Sequence, residues 1–282
     1  SYTLDNSRAA TQALGAAFET TYTLNYTMKD ADGDPSSAQL TITVKGAADS
    51  ASVETAAATG PDATVYEAGL VSGDSESTSG TSFTVSATDG IANIVVGGTT
   101  VTAEELDALS TTNKVIQTGE GTLTLTNYVA ATGVVSYTYT LNATIDNDSK
   151  VPATEDAVSA ADFTDNVSLV VNGIGGSTDS DTLSIRVVDD TPLADNDAGG
   201  TVTEDGTTTA VSGNVLTDDA AGADTPKVFD SWSASDTTAI TALNTYGTLV
   251  QGEGGAWSYT LDNSRAATQA LGAAFETTYT LN

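Results

Sequence analysis

Apolar and polar residues alternate one for one in short runs along the chain. They include SFTVSA at 82–87, GTLTLTNY at 121–128, VVSYTYTL at 134–141, VSLVV at 167–171 and TLSIRV at 182–187. Such alternation sends successive side chains to opposite faces of a strand, and β-branched and aromatic residues fill the apolar positions. Clusters of Gly, Asp, Asn and Ser between the runs supply turns. Helical signals last about two turns at most. TAEELDAL at 102–109 carries a capping box, with Thr102 at the N-cap and Glu105 at N3. SRAATQALG at 264–272 starts on a capping Ser264 and stops at Gly272, as its first copy does at Ser7 and Gly15. Helices this short close strand connections and build no layer. The pattern predicts an all-β protein: tandem Ig-like antiparallel β-sandwich domains joined by short acidic linkers.

Residues 1–25 return unchanged as 258–282, an offset of 257 within 282 residues. Weaker internal likeness divides that period. TVYEAG at 64–69 and TVTEDG at 201–206 share T-V-x-E-x-G. Segments 121–141 and 247–261 share GTL followed by G-x-x-S-Y-T. Two related domain types therefore alternate. Residues 47–190 form one Ig-like domain, 191–282 the N-terminal part of a sandwich of the other type, and 1–46 the C-terminal part of such a sandwich. The chain reads as slightly more than one period of a tandem array. The tail copy lacks equivalents of Tyr26 to Val44, which are the last two strands or part of them.

Asp and Glu number 38 against 8 Lys and Arg, a formal charge of −30. Neutralising phosphates takes Lys and Arg, so the expectation is no nucleic acid partner and no anionic membrane surface. No apolar run is long enough to span a bilayer, so no membrane insertion is expected. Cys and His are absent, which removes disulfides, the usual transition-metal ligands and a general base for Ser or Thr. No phosphate-cradling or dinucleotide-binding glycine motif follows a strand. With 6% aromatics, no aromatic cleft is indicated in which a carboxylate pair could hydrolyse glycosides. Trp232 and Trp257 read as core residues. The expectation is a protein that is not an enzyme and whose acidic surface holds cations.

The densest acidic string is Asp30-Ala-Asp32-Gly-Asp34. Calcium takes six to eight hard oxygens, and alternate carboxylates on a tight loop supply several together. The string matches the first five positions of an EF-hand loop. Its twelfth position, however, is Thr41 in place of the bidentate Glu, and no helices flank it. The alternative is a hairpin turn whose Asp side chains cap their own backbone. The other acids group by sandwich pole. The loop before a last strand lies at the pole where the chain comes in. In array order this sets Asp30, Asp32 and Asp34 beside the linker VVDDTPLADND, which carries Asp189, Asp190, Asp195 and Asp197. In the middle domain it sets Asp179 and Asp181 beside Asp49, and Glu67 and Glu204 start from the same pole. Asp5, and Asp146 with Asp148, belong to the opposite pole. Each junction then collects acids from three segments, and a divalent ion would tie them together. The alternative is that the linker acids are solvated spacers.

GAWSYTLDNSRAATQAL at 255–271 and TYTLNYTMKDADGDPSSAQLTITVKG at 21–46 resemble the VCBS repeat of very large bacterial surface proteins. Residues 47–190, with VVDDTP at 187–192, resemble the longer repeat of adhesins exported by type I secretion. The resemblance implies giant RTX-class adhesins, whose repetitive stretches are calcium-rigidified extenders. It further implies an extracellular place on the bacterial cell surface. Neighbouring repeats of the same chain would be the partners, and other domains would contact the host or substrate surface. The RTX nonapeptide G-G-x-G-x-D is absent; GGSTD at 175–179 comes nearest. The expected function is a structural extender rigidified by calcium at domain junctions. The alternative is a calcium-dependent carbohydrate- or receptor-binding adhesin module.

Overall fold

The computed structural model describes residues 1–145 and 163–281. The chain divides into two compact units, Ser1–Asp189 and Asp190–Asn282. The first opens with β1 (Glu19–Lys29) and β2 (Pro35–Lys45), an antiparallel hairpin. Ten strands follow: β3 (Ala51–Glu54), β4 (Ala63–Tyr66), β5 (Thr81–Ala87), β6 (Ile91–Val96), β7 (Thr99–Thr102), β8 (Lys114–Gln117), β9 (Gly121–Val129), β10 (Val134–Leu141), β11 (Phe163–Gly173) and β12 (Thr178–Val188). They form two five-stranded sheets, β3-β5-β10-β9-β8 and β4-β12-β11-β6-β7. Every pairing is antiparallel except β4 on β12.

The alternating runs of the sequence are strands, and their apolar residues make the core. Val135, Tyr137, Tyr139 and Leu141 of β10 are buried while the residues between them are not. Leu123 and Leu125 of β9 and Leu169, Leu183 and Ile185 of the opposite sheet complete the row. A polar group sits among them. Asp165 is buried, and its Oδ2 accepts hydrogen bonds from Tyr139 at 2.7 Å and Thr118 at 2.6 Å. The capping box forms as expected: Glu105 donates its N–H to Thr102 Oγ1, and Thr102 donates its own to Glu105 Oε2.

The second unit contains β13 (Ala210–Asn214), the helix Thr237–Tyr246, β14 (Gly247–Gln251) and β15 (Ala256–Leu261). The strands form one sheet in the order β13-β15-β14. Tyr259 and Leu261 are its only buried hydrophobics among the described residues. No sequence cue marks its ten-residue helix, whose first turn carries no acid and whose N-cap residue makes no side-chain capping bond.

The likeness of 121–141 to 247–261 is structural, with a shifted register. Both are antiparallel hairpins in which a Gly opposes a Leu: Gly121 faces Leu141, and Gly247 faces Leu261. The ring of Tyr139 fills the space a side chain at Gly121 would need, and Tyr259 does the same at Gly247. Tyr259 therefore corresponds to Tyr139, and the shared element is Y-T-L at the strand end, not the S-Y-T that the sequence aligns. The helix caps also differ from expectation. The helices Ala9–Gln12 and Ala266–Gln269 receive no cap from Ser7 or Ser264. The turn before each is held by Asp5 or Asp262, which accepts the Ser N–H at 2.9 and 3.0 Å and pairs with Arg8 or Arg265 at 3.2 Å.

Leu123→Ala should destabilise the first unit by about 2–5 kcal/mol, because it leaves a cavity at a fully packed position. Leu249→Ala, facing Tyr259 as Leu123 faces Tyr139, should cost less, because its position is only half-buried. Hydrogen exchange across a urea series, read unit by unit, measures both.

Candidate cation sites

The Asp30–Asp34 loop caps the β1–β2 hairpin. Asp30 Oδ1 accepts the N–H groups of Gly33 at 3.0 Å and Asp34 at 2.8 Å. Gly33 has φ +104°, which its missing Cβ permits. The turn therefore uses one Asp oxygen as the self-capping alternative requires. All three carboxylates still converge: one oxygen of each lies within 4.8 Å of the others. A hydrogen bond shared with the Asp32 carboxyl, then the Asp34 N–H, holds the Asp30 carboxyl below the usual range. Hard oxygens this close, all exposed, fit a calcium ion completed by water and backbone carbonyls. No other cluster lying wholly within one unit brings three carboxylates so near among the described residues.

Strand register explains two further pairs. β4 runs parallel to β12 with Tyr66 opposite Val188, so the next residues, Glu67 and Asp189, meet. A carboxylate oxygen of one lies within 4.8 Å of one of the other. Glu67 is fully buried; its Oε1 accepts the Ile145 N–H at 2.6 Å, and its own N–H donates to Val188 O at 3.0 Å. Glu67 thus sits where the last strand leaves the domain, not at the incoming pole. The reason is the parallel pairing, which alternation alone does not reveal. In the same way, β3 on β5 sets Ala51 opposite Ala87 and carries Asp49 to Asp89. Asp49 Oδ2 is buried beside Gly175, where any Cβ would displace it. Ionised, that oxygen has no hydrogen-bond donor; protonated, Asp49 donates to Asp89. That hydrogen bond, then burial and the Asp89 charge, push the Asp49 pKa up. Asp89 was not among the candidates, although the D-G turn after SFTVSA marks it.

Asp179 and Asp181 lie on β12, not in the loop before it. Their carboxylates reach the other sheet: Asp179 accepts the Val53 N–H and Asp181 the Thr55 N–H, each at 3.0 Å. The N–H of Thr182, then that of Thr55, keeps the Asp181 carboxyl below its ordinary range. These acids fasten the edge of β3. Asp146 and Asp148 lie outside the described residues.

In the second unit, Asp190 Oδ2 accepts the Ala223 N–H at 2.6 Å. Leu193 and Ala220 exchange backbone hydrogen bonds at 2.8 and 2.9 Å, which lays the linker along 218–220. Asp195 donates its N–H to Asp219 Oδ1 at 2.8 Å. Burial, then the charges of Asp218 and Asp219, raise the Asp197 pKa. Asp218 and Asp219 are thus partners that the sequence reading missed, because only the folded linker brings them near. Glu204 stands in a turn with Asp205, not on a strand. Beside Trp232, a groove of about 410 Å³ is lined by Phe229, Asp230, Gln251 and Glu253. The Phe229 and Trp232 rings lie 5.1 Å apart, and the half-buried Trp232 donates its Nε1–H to Gly252 O at 3.0 Å.

No helix among the described residues is long and apolar enough to cross a membrane. No protein-family model matches the chain, and no curated protein does. Among solved structures, it is similar to domains 1–3 of mouse clustered protocadherin gamma C3. Identity there is 14% over 90% of this chain and 70% of that one, with a TM-score of 0.30. It is also similar to extracellular cadherin domains 1–5 of protocadherin gamma B2, at 14% identity over 86% and 40% of the two chains and a TM-score of 0.29. Cadherin-like domains 1 to 4 of zebrafish RET match at 15% identity over 88% and 52%, with a TM-score of 0.25. The chain spans 32% to 49% of the length of the protocadherin gamma B3 and B2 fragments. The likeness reaches no further than a β-sandwich strand pattern.

The Asp49 shift gives a pH signature. A pKa raised on folding adds stability that is complete below the unfolded value and lost as pH rises through the folded one. In chelator, wild type should therefore lose stability just above the ordinary Asp range. Asp49→Asn should remove that step and melt higher at neutral pH. Thermal scans between acid and neutral pH check it; identical profiles for the two proteins would contradict the pairing.

Proposed function

We propose that this chain is a structural extender segment of a large extracellular adhesin of the bacterial surface. It acts as a non-catalytic spacer, stiffened by calcium at the linkers between successive domains. The observation that carries the reading is the unchanged 25-residue segment framing diverged β domains. A spacer lengthens by duplication of whole units, and each unit then meets the same neighbours. The acids support the calcium part of the reading. They stand on turns, strand ends and the linker, and the three converging carboxylates of Asp30, Asp32 and Asp34 suit a hard cation. Export by type I secretion and the RTX class belong to the same proposal.

A calcium ion would supply positive charge that few side chains of this protein carry. With 8 Lys and Arg against 38 acids, most carboxylates have no cationic side chain to meet. Bound at the linker, Asp189 and Asp190 would hold a divalent ion and restrain their own backbone.

At tenfold excess over its Kd, one calcium site adds about 1.4 kcal/mol to stability. Calcium should therefore raise the melting temperature, and magnesium should do so less, since it resists losing its water. Asp30→Asn with Asp32→Asn should remove one site from a calorimetric titration. Asp189→Ala with Asp190→Ala should leave the linker mobile on the nanosecond scale in saturating calcium, as NMR relaxation reads it. No binding heat and no thermal shift would overturn the calcium reading.

The groove beside Phe229 and Trp232, flanked by Asp230 and Glu253, favours a second reading: a calcium-dependent module for carbohydrate or a receptor. A glycan array with calcium separates the two, since an extender gives no sugar signal that Trp232→Ala abolishes.

A further inference from the structure

Asp165 is a buried acid that meets no basic side chain. It is 6% exposed, and no Lys or Arg pairs with it among the described residues. Its Oδ2 accepts from the hydroxyls of Tyr139 and Thr118, at 2.7 and 2.6 Å. Its Oδ1 accepts no hydrogen bond from any described residue. Taking a carboxylate out of water with half its acceptor capacity unused is unfavourable, so its presence needs a physical reason. Service to the two hydroxyls is not that reason. An Asn at this position would offer them the same acceptor and carry no charge.

A pocket of about 300 Å³ opens beside Asp165, with Gly97, Gln117, Gly119, Asn166, Val167 and Ser168 on its walls. The walls come from both sheets. Gln117 ends β8 and Gly119 follows it, residues 165–168 belong to β11, and Gly97 sits in the turn between β6 and β7. Gly119 guards the unused oxygen. A Cβ there would lie 3.8 Å from Asp165 Oδ1, so a longer side chain would stand over it, and glycine leaves the way clear. The backbone of β11 is open on the same side. β6 pairs with β11 only from Leu169 onward, and Gly97 donates its N–H to Ser168 O at 2.9 Å. Alternate residues of a strand turn their backbone groups to the same edge. Asn166 therefore presents its C=O along that edge where β6 no longer runs beside it. Buried Val167 adds an apolar wall.

We propose that this pocket binds a guanidinium group, whether carried by an Arg side chain of a partner polypeptide or by a free guanidinium compound. Its N–H groups donate to Asp165 Oδ1 and to the Asn166 C=O, and its carbon stem rests on Val167. Three features select this chemistry. Calcium takes six to eight oxygens, and Asp165 joins no cluster with two other acids among the described residues. A buried carboxylate favours a cation that sheds water readily, and a guanidinium is more weakly hydrated than an ammonium. The acceptors stand apart on side chain and backbone, which suits a planar fork of five N–H donors. The net charge of −30 draws cations to this surface. The site uses no calcium, so it stands or falls independently of the extender reading.

NMR shift mapping on the full chain in EDTA tests it, with methylguanidinium chloride as the probe. Millimolar probe suffices, far below the molar range in which guanidinium unfolds proteins. The expected result is saturable shifts of the amides of Gly97, Gln117 to Gly119 and Asn166 to Ser168. Methylammonium at the same ionic strength should bind at least about tenfold more weakly. Asp165→Asn should abolish the shifts while keeping an acceptor for Tyr139 and Thr118. Gly119→Leu should weaken binding at least about tenfold without moving the melting of the domain, because its position is exposed. It decides the matter should Asp165→Asn fail to fold. Acetylated and amidated Thr-Arg-Thr separates the two sources: tighter binding than methylguanidinium assigns the site to a partner's Arg side chain, and equal or weaker binding assigns it to a free compound. The absence of saturable shifts at these amides would overturn the proposal. So would shifts that Gly119→Leu leaves unchanged, or an equal response to methylammonium.

Discussion

A strand that is apolar on one face depends on a second sheet to cover that face. Between residues 51 and 188 this dependence is met, and β12 is where it is met most fully. That strand pairs with β11 on one side and β4 on the other, and turns Leu183, Ile185 and Val187 into the core. Through Asp179 and Asp181 it also holds the free edge of β3 in the opposite sheet. An unpaired strand edge leaves N–H groups without partners, and carboxylates that accept them remove that cost without adding a strand.

The electrostatics grow out of the same registers. Glu67 meets Asp189 because β4 and β12 run side by side in the same direction, and Asp49 meets Asp89 because β3 and β5 run in opposite directions. Acids placed one or two residues beyond paired strands are carried together as the sheet forms. With so few Lys and Arg, backbone N–H groups meet some of these carboxylates, as at Asp181, and the pKa of Asp49 is pushed up beside Asp89. At the Asp30 turn one oxygen serves the backbone while three carboxylates still converge.

Much of this was legible in the chain itself. Period-two alternation set the all-β class, because side-chain direction along a strand is a local property. The capping box at Thr102 and Glu105 and the turn at Asp30–Asp34 could be read for the same reason. The acids were harder. Asp89, Asp218 and Asp219 went unnoticed, and Glu67 was assigned to the wrong pole, since each depends on which strand lies beside which.

Sequence by itself determined the strands, the turns, the duplication and the excess of negative charge, all of which rest on neighbours in the chain. Tertiary structure decided which acids meet and which Tyr corresponds to which. The physical reason is that a strand's backbone hydrogen bonds are made with another segment, so what stands beside it belongs to the pair and not to the residues that form it.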